Sequence, residues 1–311
     1  MDSFQNFSMH LSDFVGQKSI KEILKININI ALKNKTSLPH ILLSGNPGLG
    51  KTTLAKIIAN ELNKSFIYVN GPTISKISDI VTILASVEEN GIVFIDECHR
   101  MPTFIQEVLY TAMEEFKLVF IYENQENSKP INVDIAHFTL IGATTRLGLL
   151  SYAFRTRFPI NIALEPYTSD DLFELLQNQC LNSKIEYEIS ALKMICASSR
   201  NTPRIARNIL LNSINIGAYF DQKIDEKIVK KTLSLLAIDK QGLNKIDLKI
   251  LNAMKNRFNG APTSLESLSN IISEDVKDIE VVNEPFLVEK GYINRTKKGR
   301  VITEKGISLL K

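Results

Sequence analysis

Short apolar runs alternate with amphipathic stretches along the first 165 residues, and this alternation predicts a parallel α/β sheet. Continuous apolar runs are typical of strands that are buried on both faces. Between these runs, apolar residues recur at the three- and four-residue spacing of helices. A helix between successive strands returns the chain for parallel pairing and covers both faces of the sheet. The predicted strands are 41–44, 66–70, 92–95, 138–143 and 160–164.

The pattern changes after residue 165, where strand-like runs end and helical periodicity continues to about residue 237. From residue 241, three helical stripes precede two short runs that flank a turn at 296–299, which predicts a hairpin. The third stripe has Pro285 near its end. Three helices and a hairpin are the order of a winged helix-turn-helix. We therefore expect an α/β domain at 1–165, a small helical lid domain at 166–240 and a winged helix at 241–311.

A polar stretch at 123–129 separates two runs within the α/β region and predicts a β-hairpin at 116–134 that projects from the sheet. The first arm, at 117–122, is more apolar than a solvated hairpin requires. This arm either contacts a protein partner or packs on its own domain, and the sequence leaves both alternatives open.

The composition is that of an ordinary globular protein, with 311 residues, 44% of them hydrophobic and 23% charged. The chain has no apolar run of 18 residues and no apolar leader near its start, so we expect a cytoplasmic protein without a membrane segment. The three cysteines and four histidines lack metal-ligand spacing. We therefore expect no metal other than Mg²⁺.

Residues 45–52 read Gly-Asn-Pro-Gly-Leu-Gly-Lys-Thr and match the phosphate-binding loop G-x-x-x-x-G-K-[ST]. Gly48 and Gly50 let backbone N–H groups point at a phosphate chain. Lys51 can reach the β- and γ-phosphates, and the Thr52 hydroxyl can bind Mg²⁺. A glycine-rich turn without a ligand is the alternative, but the loop lies between a predicted strand and a predicted helix, as a nucleotide site requires. We expect this loop to bind a nucleoside triphosphate.

Two carboxylates, Asp96 and Glu97, end the predicted strand at 92–95. Ligands bind at the carboxyl ends of strands in such sheets, so both side chains are expected at the nucleotide. Asp96 would hold Mg²⁺, and Glu97 would take a proton from the attacking water as general base. The alternative is an acidic turn that caps the next helix. The position of the pair 45 residues after Lys51 favours catalysis.

Several segments, taken together, resemble the RuvB family of AAA+ motors, which drive branch migration of Holliday junctions in bacteria. The resemblance extends over nearly the whole chain. The phosphate loop is common to many ATPases, whereas the runs at 142–146 and 202–206 and the terminal hairpin are specific in this order. The matching segments are DFVGQ (13–17), GNPGLGKTT (45–53), FIDE (94–97), FTLIGATTR (138–146), RTRF (155–158), TPRIA (202–206), GYINRT (291–296) and GR (299–300).

The resemblance implies a ring-forming ATPase with ATP and Mg²⁺ as cofactors, and it assigns roles to residues. Thr145, or its neighbour Thr144, resembles the sensor of the γ-phosphate. Arg157 or Arg155 resembles the arginine finger that enters the neighbouring subunit's site, although a surface arginine is the alternative. The other implied nucleotide contacts are Val15, Gly16 and Tyr167 at the adenine, Thr53 in the loop, and Arg204 as a second sensor or else a helix-start arginine.

The resemblance also implies partners: a homo-hexamer around duplex DNA, four-way junctions, and a RuvA-like adaptor that docks on the hairpin at 116–134. The predicted terminal hairpin is locally basic, which suits contact with DNA phosphates. A solvated basic turn is the alternative. The expected DNA contacts are Arg295, Arg300, Lys297 and Lys298.

We therefore predict a DNA motor that hydrolyses ATP at subunit interfaces and moves duplex DNA through four-way junctions. One alternative is another AAA+ enzyme of replication, such as a clamp loader, but loaders usually end in a helical collar rather than a basic hairpin. The other is a DNA-binding protein that ATP only switches. A pure switch has no need of Glu97 or of an arginine finger.

Overall fold

A five-stranded parallel sheet organises the first part of the chain. The computed structural model describes residues 10–124 and 127–310, with side chains except at 119–131. The strands here are β1 (Ile41–Ser44), β2 (Phe66–Asn70), β3 (Gly91–Asp96), β4 (Lys117–Asn124), β5 (Asn127–Asp134), β6 (Phe138–Thr144) and β7 (Ile160–Ala163). The sheet has the order β2-β3-β6-β1-β7, while β4 and β5 pair with each other as an antiparallel hairpin.

The five strands predicted for the sheet are confirmed, two of them at the predicted bounds and three with ends shifted by one residue. The central strands β3 and β6 are buried almost throughout, which explains their uninterrupted apolar runs. The edge strand β2 is only half-buried and reads more polar for that reason.

Helices cover both faces of the sheet, as predicted. They are α1 (Lys18–Asn34), α2 (Lys51–Leu62), α3 (Ile77–Ala85), α4 (Thr103–Glu115) and α5 (Tyr152–Thr156). Val93 and Ile95 of β3 share a buried cluster with Ile80 of α3 and Ile105 of α4. Side chains alternate along a strand, so Phe94 points to the opposite face. There α2 packs on β3 and β6.

The base of the β4–β5 hairpin packs on its own domain. Leu118 is buried in the same cluster as Met113 and Phe138, and Phe116 packs against that cluster. At its base, therefore, the hairpin packs on its own domain, which is the second of the two alternatives given above. Residues 125 and 126 and the side chains of 119–131 lie outside the described part, so the partner-binding alternative stays a prediction for the outer arms.

The chain divides into two compact units, Met1–Leu175 with Thr202–Arg204, and Leu176–Asn201 with Ile205–Lys311. Among the described helices, none is long and apolar enough to cross a membrane. The remaining helices are α6 (Ser169–Asn182), α7 (Ile189–Ala197), α8 (Pro203–Tyr219), α9 (Glu226–Leu235), α10 (Lys245–Asn256), α11 (Leu265–Ile272), α12 (Val276–Asp278), α13 (Glu284–Glu289) and α14 (Glu304–Leu309).

The C-terminal part of the second unit has the predicted helices and hairpin. Its strands are β8 (Ile293–Thr296) and β9 (Gly299–Ile302), and we call this hairpin the wing. The third stripe is helical as predicted, but Pro285 does not lie near its end. A π-helical turn at Ile279–Asn283 separates α12 from α13, and Pro285 lies in the first turn of α13. A proline is tolerated there because the first turn needs no backbone donor. The sequence reading also missed α14, which Thr303 caps.

A buried ion pair joins the helical part of the second unit to its winged-helix part. Asp247, at the start of α10, is fully buried and accepts hydrogen bonds from the Arg200 guanidinium and from Asn283 Nδ2 at 2.7 Å. Arg200, which follows α7, also donates from Nε to the Gly242 carbonyl at 2.7 Å. Burial raises the pKa of Asp247, and the charge of Arg200 opposes this shift. Both carboxylate oxygens of Asp247 therefore accept hydrogen bonds, as a buried charge requires.

The three cysteines are buried thiols. Cys98 lies in the core beneath the sheet, where burial raises its pKa to about 12, and burial raises the pKa of Cys180 to about 11. A thiol with so high a pKa remains protonated and unreactive at neutral pH. These residues act as small apolar side chains.

We predict that Asp247→Ala lowers the free energy of unfolding by about 3–5 kcal/mol, because it leaves the Arg200 charge buried without its partner. Chemical denaturation followed by circular dichroism measures this loss. Asp278→Ala is the matched control, because Asp278 is exposed on the short helix α12. Equal stability of the two variants would contradict this account of the ion pair.

Candidate nucleotide-binding site

The loop at 45–52 connects β1 to the start of α2 and is shaped by its glycines. Gly45, Gly48 and Gly50 have φ values of 136°, 81° and 101°, which favour glycine. A Cβ at Gly45 would lie 2.7 Å from the carbonyl oxygen of Leu164. The loop therefore leads directly into the N-terminus of a 12-residue helix, whose unpaired N–H groups attract anions.

Lys51 is buried within this loop, with 7% of its surface exposed. Its Nζ donates to the carbonyls of Gly45 at 2.8 Å and Asn46 at 3.1 Å. Burial lowers the pKa of Lys51, while the nearby carboxylates of Glu97 and Asp96 act in the opposite direction. A desolvated ammonium at a helix N-terminus is well placed to bind phosphate oxygens.

Thr52 and Asp96 form a pair of oxygen ligands beside the lysine. Thr52 Oγ1 donates to Asp96 Oδ2 at 3.4 Å, and the N–H of Glu97 donates to Asp96 Oδ1 at 3.0 Å. Hydroxyl and carboxylate oxygens are the ligands that Mg²⁺ prefers, and it usually completes its shell with water and phosphate. The described residues contain no cluster of three or more metal-ligating side chains. The pair fits an ion that is shared with a nucleotide.

Glu97 is held by side chains from the end of β6 and from the turn after β3. Thr145 Oγ1 donates to Glu97 Oε2 at 2.9 Å, and His99 Nδ1 lies 3.2 Å from the same oxygen. Thr144 bonds instead to His99, with its Oγ1 at 3.0 Å from Nδ1. Burial lowers the pKa of His99, although Glu97 opposes this shift. The arrangement orients one carboxylate oxygen at the edge of the sheet.

Sequence reasoning missed His99 and Tyr68. His99 could have been inferred from the sequence, because it follows Glu97 by two residues in the segment Asp-Glu-Cys-His, and in the structure it contacts Glu97. Tyr68, on β2, lies near Asp96, and its pKa is raised by burial and by the charge of that carboxylate. No local pattern indicates Tyr68, because the contact depends on the pairing of β2 with β3.

The segment before α1 lies against the loop, together with Tyr167. A Cβ at Gly16 would lie 3.5 Å from the Tyr167 ring, and one at Gly50 would lie 3.3 Å from the Phe14 ring. Val15, Phe14 and Tyr167 are all buried. The structure thus brings Val15, Gly16 and Tyr167 to one side of the loop, and adds Phe14, which the sequence reading did not assign.

Arg204 also lies at the loop and belongs to the first unit. A Cβ at Gly48 would lie 2.8 Å from Arg204 Cβ and 2.9 Å from Thr202 Cγ2. The charge of Arg204 contributes to lowering the pKa of Lys51, so the two cations are near neighbours. This places a second positive charge where a triphosphate would bind. Thr53 is half-buried in the first turn of α2.

The structure places Arg155 in the last turn of α5 and Arg157 directly after that helix. Arg157 pairs with Glu114 on α4, and its guanidinium lies 5.4 Å from the Tyr110 ring centroid. Its Nε is buried without a hydrogen-bond partner among the described residues. Among the residues that the structure describes, Arg155 makes no side-chain hydrogen bond or ion pair to the phosphate-binding loop.

The basic residues of the wing fall into two groups. Lys297 and Lys298 form the exposed turn between β8 and β9. Arg295 and Arg300 face each other across the two strands, and both donate hydrogen bonds to Glu284. The structure therefore brings the four predicted DNA contacts together in one hairpin.

Comparison with known proteins identifies similar domains at both ends of the chain. Residues 8–164 match the Holliday junction DNA helicase RuvB P-loop domain, and residues 240–311 match the RuvB C-terminal winged helix domain. The Holliday junction branch migration complex subunit RuvB of Acholeplasma laidlawii is 42% identical over 96% of this chain and 89% of its own. The protein of that name from Streptococcus agalactiae is 42% identical over 95% and 90%. The solved Thermotoga maritima RuvB Holliday junction branch migration motor is 36% identical, with a TM-score of 0.88, and the match covers 99% of this chain and 98% of that one.

We predict that Gly48→Ala weakens nucleotide binding at least about tenfold, because the added Cβ would collide with Arg204 and Thr202 at a positive φ. Titration with a fluorescent ATP analogue measures the affinity. Gly148→Ala is the matched control, since a Cβ at Gly148 meets nothing within 4 Å. Equal affinities of the two variants would contradict the inferred shape of the loop.

Proposed function

The chain belongs to the RuvB family, and we propose that it is an ATP-driven motor that promotes branch migration of Holliday junctions. It binds ATP in its P-loop domain and hydrolyses it, and the free energy released moves duplex DNA through the junction. A clamp loader is not favoured, because both the P-loop and winged-helix domains match those of RuvB.

The hydrogen bond from Thr145 to Glu97 is the observation that carries this proposal. It fixes a carboxylate beside the phosphate-binding loop, within the same sheet edge as Asp96. Hydrolysis requires a base oriented toward water, whereas a binding switch requires only the loop. The geometry therefore favours an ATPase over a protein that nucleotide merely switches.

The chemistry follows from the residues at this edge. Lys51 and the N–H groups at the start of α2 would bind the phosphates. Glu97 would accept the proton of a water as its oxygen attacks the γ-phosphorus. The bond from that phosphorus to the bridging oxygen breaks, and ADP leaves with the electron pair. Thr145 keeps the carboxylate oriented, and Arg204 adds positive charge at the phosphates.

Thr52 Oγ1 and Asp96 would hold Mg²⁺ in this site. When bound, the ion supplies charge neutralisation on the β- and γ-phosphate oxygens. Val15, Gly16 and Tyr167 would enclose the adenine, because Gly16 contacts the Tyr167 ring beside the loop and Val15 is buried next to it.

We assign Arg157 as the arginine finger, with Arg155 beside it. Within its own subunit the Arg157 guanidinium bonds to Glu114, and its buried Nε has no partner among the described residues. In a homo-hexameric ring, this guanidinium would stabilise charge on the neighbour's nucleotide in the transition state. Comparable fingers raise the rate by ~10³–10⁵.

DNA binds through the wing in this proposal, by contacts to backbone phosphates that carry no base sequence. Lys297 and Lys298 supply exposed charge at its tip. A RuvA-like adaptor would dock on the outer arms of the hairpin 116–134. The base of this hairpin packs in the core through Leu118, which would anchor the hairpin to the ATPase domain.

The motor proposal predicts ATP turnover that four-way junction DNA with adaptor stimulates. We expect Glu97→Gln to lower this turnover by about 10²–10⁴-fold while ATP binding persists, because only the general base is lost. Phosphate release with no DNA, linear duplex, and junction plus adaptor provides the measurement. Glu88→Gln, an exposed carboxylate, is the control. Background turnover in all three conditions, with ATP still bound, would refute the motor and leave the switch.

The ring proposal predicts complementation between two inactive variants. Lys51→Ala inactivates a subunit's own site, and Arg157→Ala would inactivate the neighbour's, so random mixing restores about a quarter of the interfaces. ATP turnover of the mixture, measured beside each variant alone, tests this. A mixture of Lys51→Ala and Glu97→Gln is the matched control, because both residues act within one subunit and no interface is restored. Equal turnover of the two mixtures would exclude Arg157 as a finger in trans.

A further inference from the structure

Two arginines lie directly opposite each other on the wing. Arg295 on β8 and Arg300 on β9 are register partners in the antiparallel pair. Directly opposed residues project from the same face, with Cβ atoms roughly 4.5–5.5 Å apart, and like charges at this spacing repel. Without a compensating group, the two side chains would turn away from each other.

Glu284, at the start of α13, supplies the compensating charge. Its Oε1 accepts hydrogen bonds from Arg295 Nε at 2.8 Å and from Arg300 Nε at 2.7 Å, and Oε2 accepts from Arg300 Nη2 at 3.2 Å. Only 1% of Glu284 is exposed. Burial alone would raise the pKa of Glu284, but the hydrogen bonds and charges of the two arginines outweigh it, and the pKa lies below its usual value. The carboxylate is therefore a fixed negative charge beneath the pair.

The backbone at Arg300 is fixed as well. Its N–H donates to the Thr263 carbonyl at 2.8 Å, and its carbonyl accepts from the Thr263 N–H at 2.9 Å. Gly299 has a φ of 130°, and a Cβ there would lie 2.6 Å from the Thr263 oxygen. The strand that carries Arg300 is thus held from both sides, and its side chain has little freedom to leave Glu284.

The outer side of the arginine pair is accessible. Arg295 is 57% exposed and Arg300 is 25% exposed at the side chain. Arg295 contacts Glu284 through Nε, and its Nη groups make no other hydrogen bond within the described structure. Guanidinium groups bind phosphate through two such donors. The Nη donors of the exposed Arg295 therefore remain available for a phosphate while its Nε is held by the carboxylate.

We propose that Glu284 is a positioning residue that holds Arg295 and Arg300 as a preorganised clamp for one phosphate of the DNA backbone. The proposal rests on the proposed binding of DNA by the wing. The clamp predicts a change in DNA affinity on loss of the Glu284 charge that is opposite to the change expected from net charge alone. Removal of a negative charge makes the wing more positive, which would strengthen DNA binding, whereas loss of the clamp would weaken it.

Glu284→Gln in the full chain tests this sign. We expect the dissociation constant for fluorescently labelled duplex and four-way junction to rise about five- to tenfold in fluorescence anisotropy. The slope of log K against log salt should fall by about one phosphate contact. Glu266→Gln is the matched control, since Glu266 is an exposed carboxylate whose charge acts on Arg300 without bonding both arginines. It should bind DNA as tightly as the unmodified chain or more tightly.

A double-mutant comparison separates positioning from general damage. If Glu284 acts through the arginines, Glu284→Gln should have no further effect on DNA affinity in a chain that carries Arg295→Ala and Arg300→Ala. Arg295→Lys, which keeps the charge and loses the planar donors, should weaken binding without touching the buried carboxylate. Thermal unfolding of each variant identifies any that fails to fold, and Arg295→Lys then carries the test.

The outcomes distinguish this inference from the proposed function. Unchanged DNA affinity after Arg295→Ala and Arg300→Ala would show that the two arginines do not contact DNA, and their part in the proposed role of the wing would fail. Weaker binding in that variant, with unchanged or tighter binding in Glu284→Gln, would overturn the clamp alone. Weaker binding in both, without additivity, supports it.

Discussion

The parallel register of three neighbouring strands is the constraint on which the nucleotide site depends. Ser44 at the end of β1 is level with Thr144 of β6, and Ile95 of β3 is level with Gly142. The strands consequently end at one edge, and the residues that follow them carry the chemistry. A slip of one residue would turn buried side chains to the other face, so burial of both faces fixes the register. Core packing thus sets the distances at the phosphates.

The sequence was sufficient for the elements whose signals are local. Continuous apolar runs predicted the five strands, and the loop and the Asp96-Glu97 pair could be read from short motifs. The contacts of Tyr68 and His99 could not be predicted, because they depend on strand pairing and on side-chain direction. The π-helical turn before α13 was missed for another reason: it preserves an approximately helical stripe while adding a residue to the turn. Pro285 was placed near the end of the stripe, whereas it lies in the first turn of α13.

Buried carboxylates paired with arginines recur in the second unit. Asp247 holds Arg200 between the helical and winged-helix parts, and Glu284 holds two arginines on the wing. Such pairs contribute little net stability, because desolvation offsets the attraction. The pairs instead fix geometry, because each arginine must hold one position to supply hydrogen bonds to its buried carboxylate. The two pairs therefore fix side-chain orientation, one between the helical and winged-helix parts and the other on the wing.

The burial of every cysteine has a practical consequence for measurements on this motor. Cys98, Cys180 and Cys196 are enclosed, and the raised pKa of the first two keeps them as thiols. Maleimide reagents attack exposed thiolates, so the buried native cysteines of the folded chain should not react with them. A single cysteine at the exposed Lys297 would accept a fluorophore selectively. Wing movement on DNA could then be followed by energy transfer in single molecules, with no native cysteine removed.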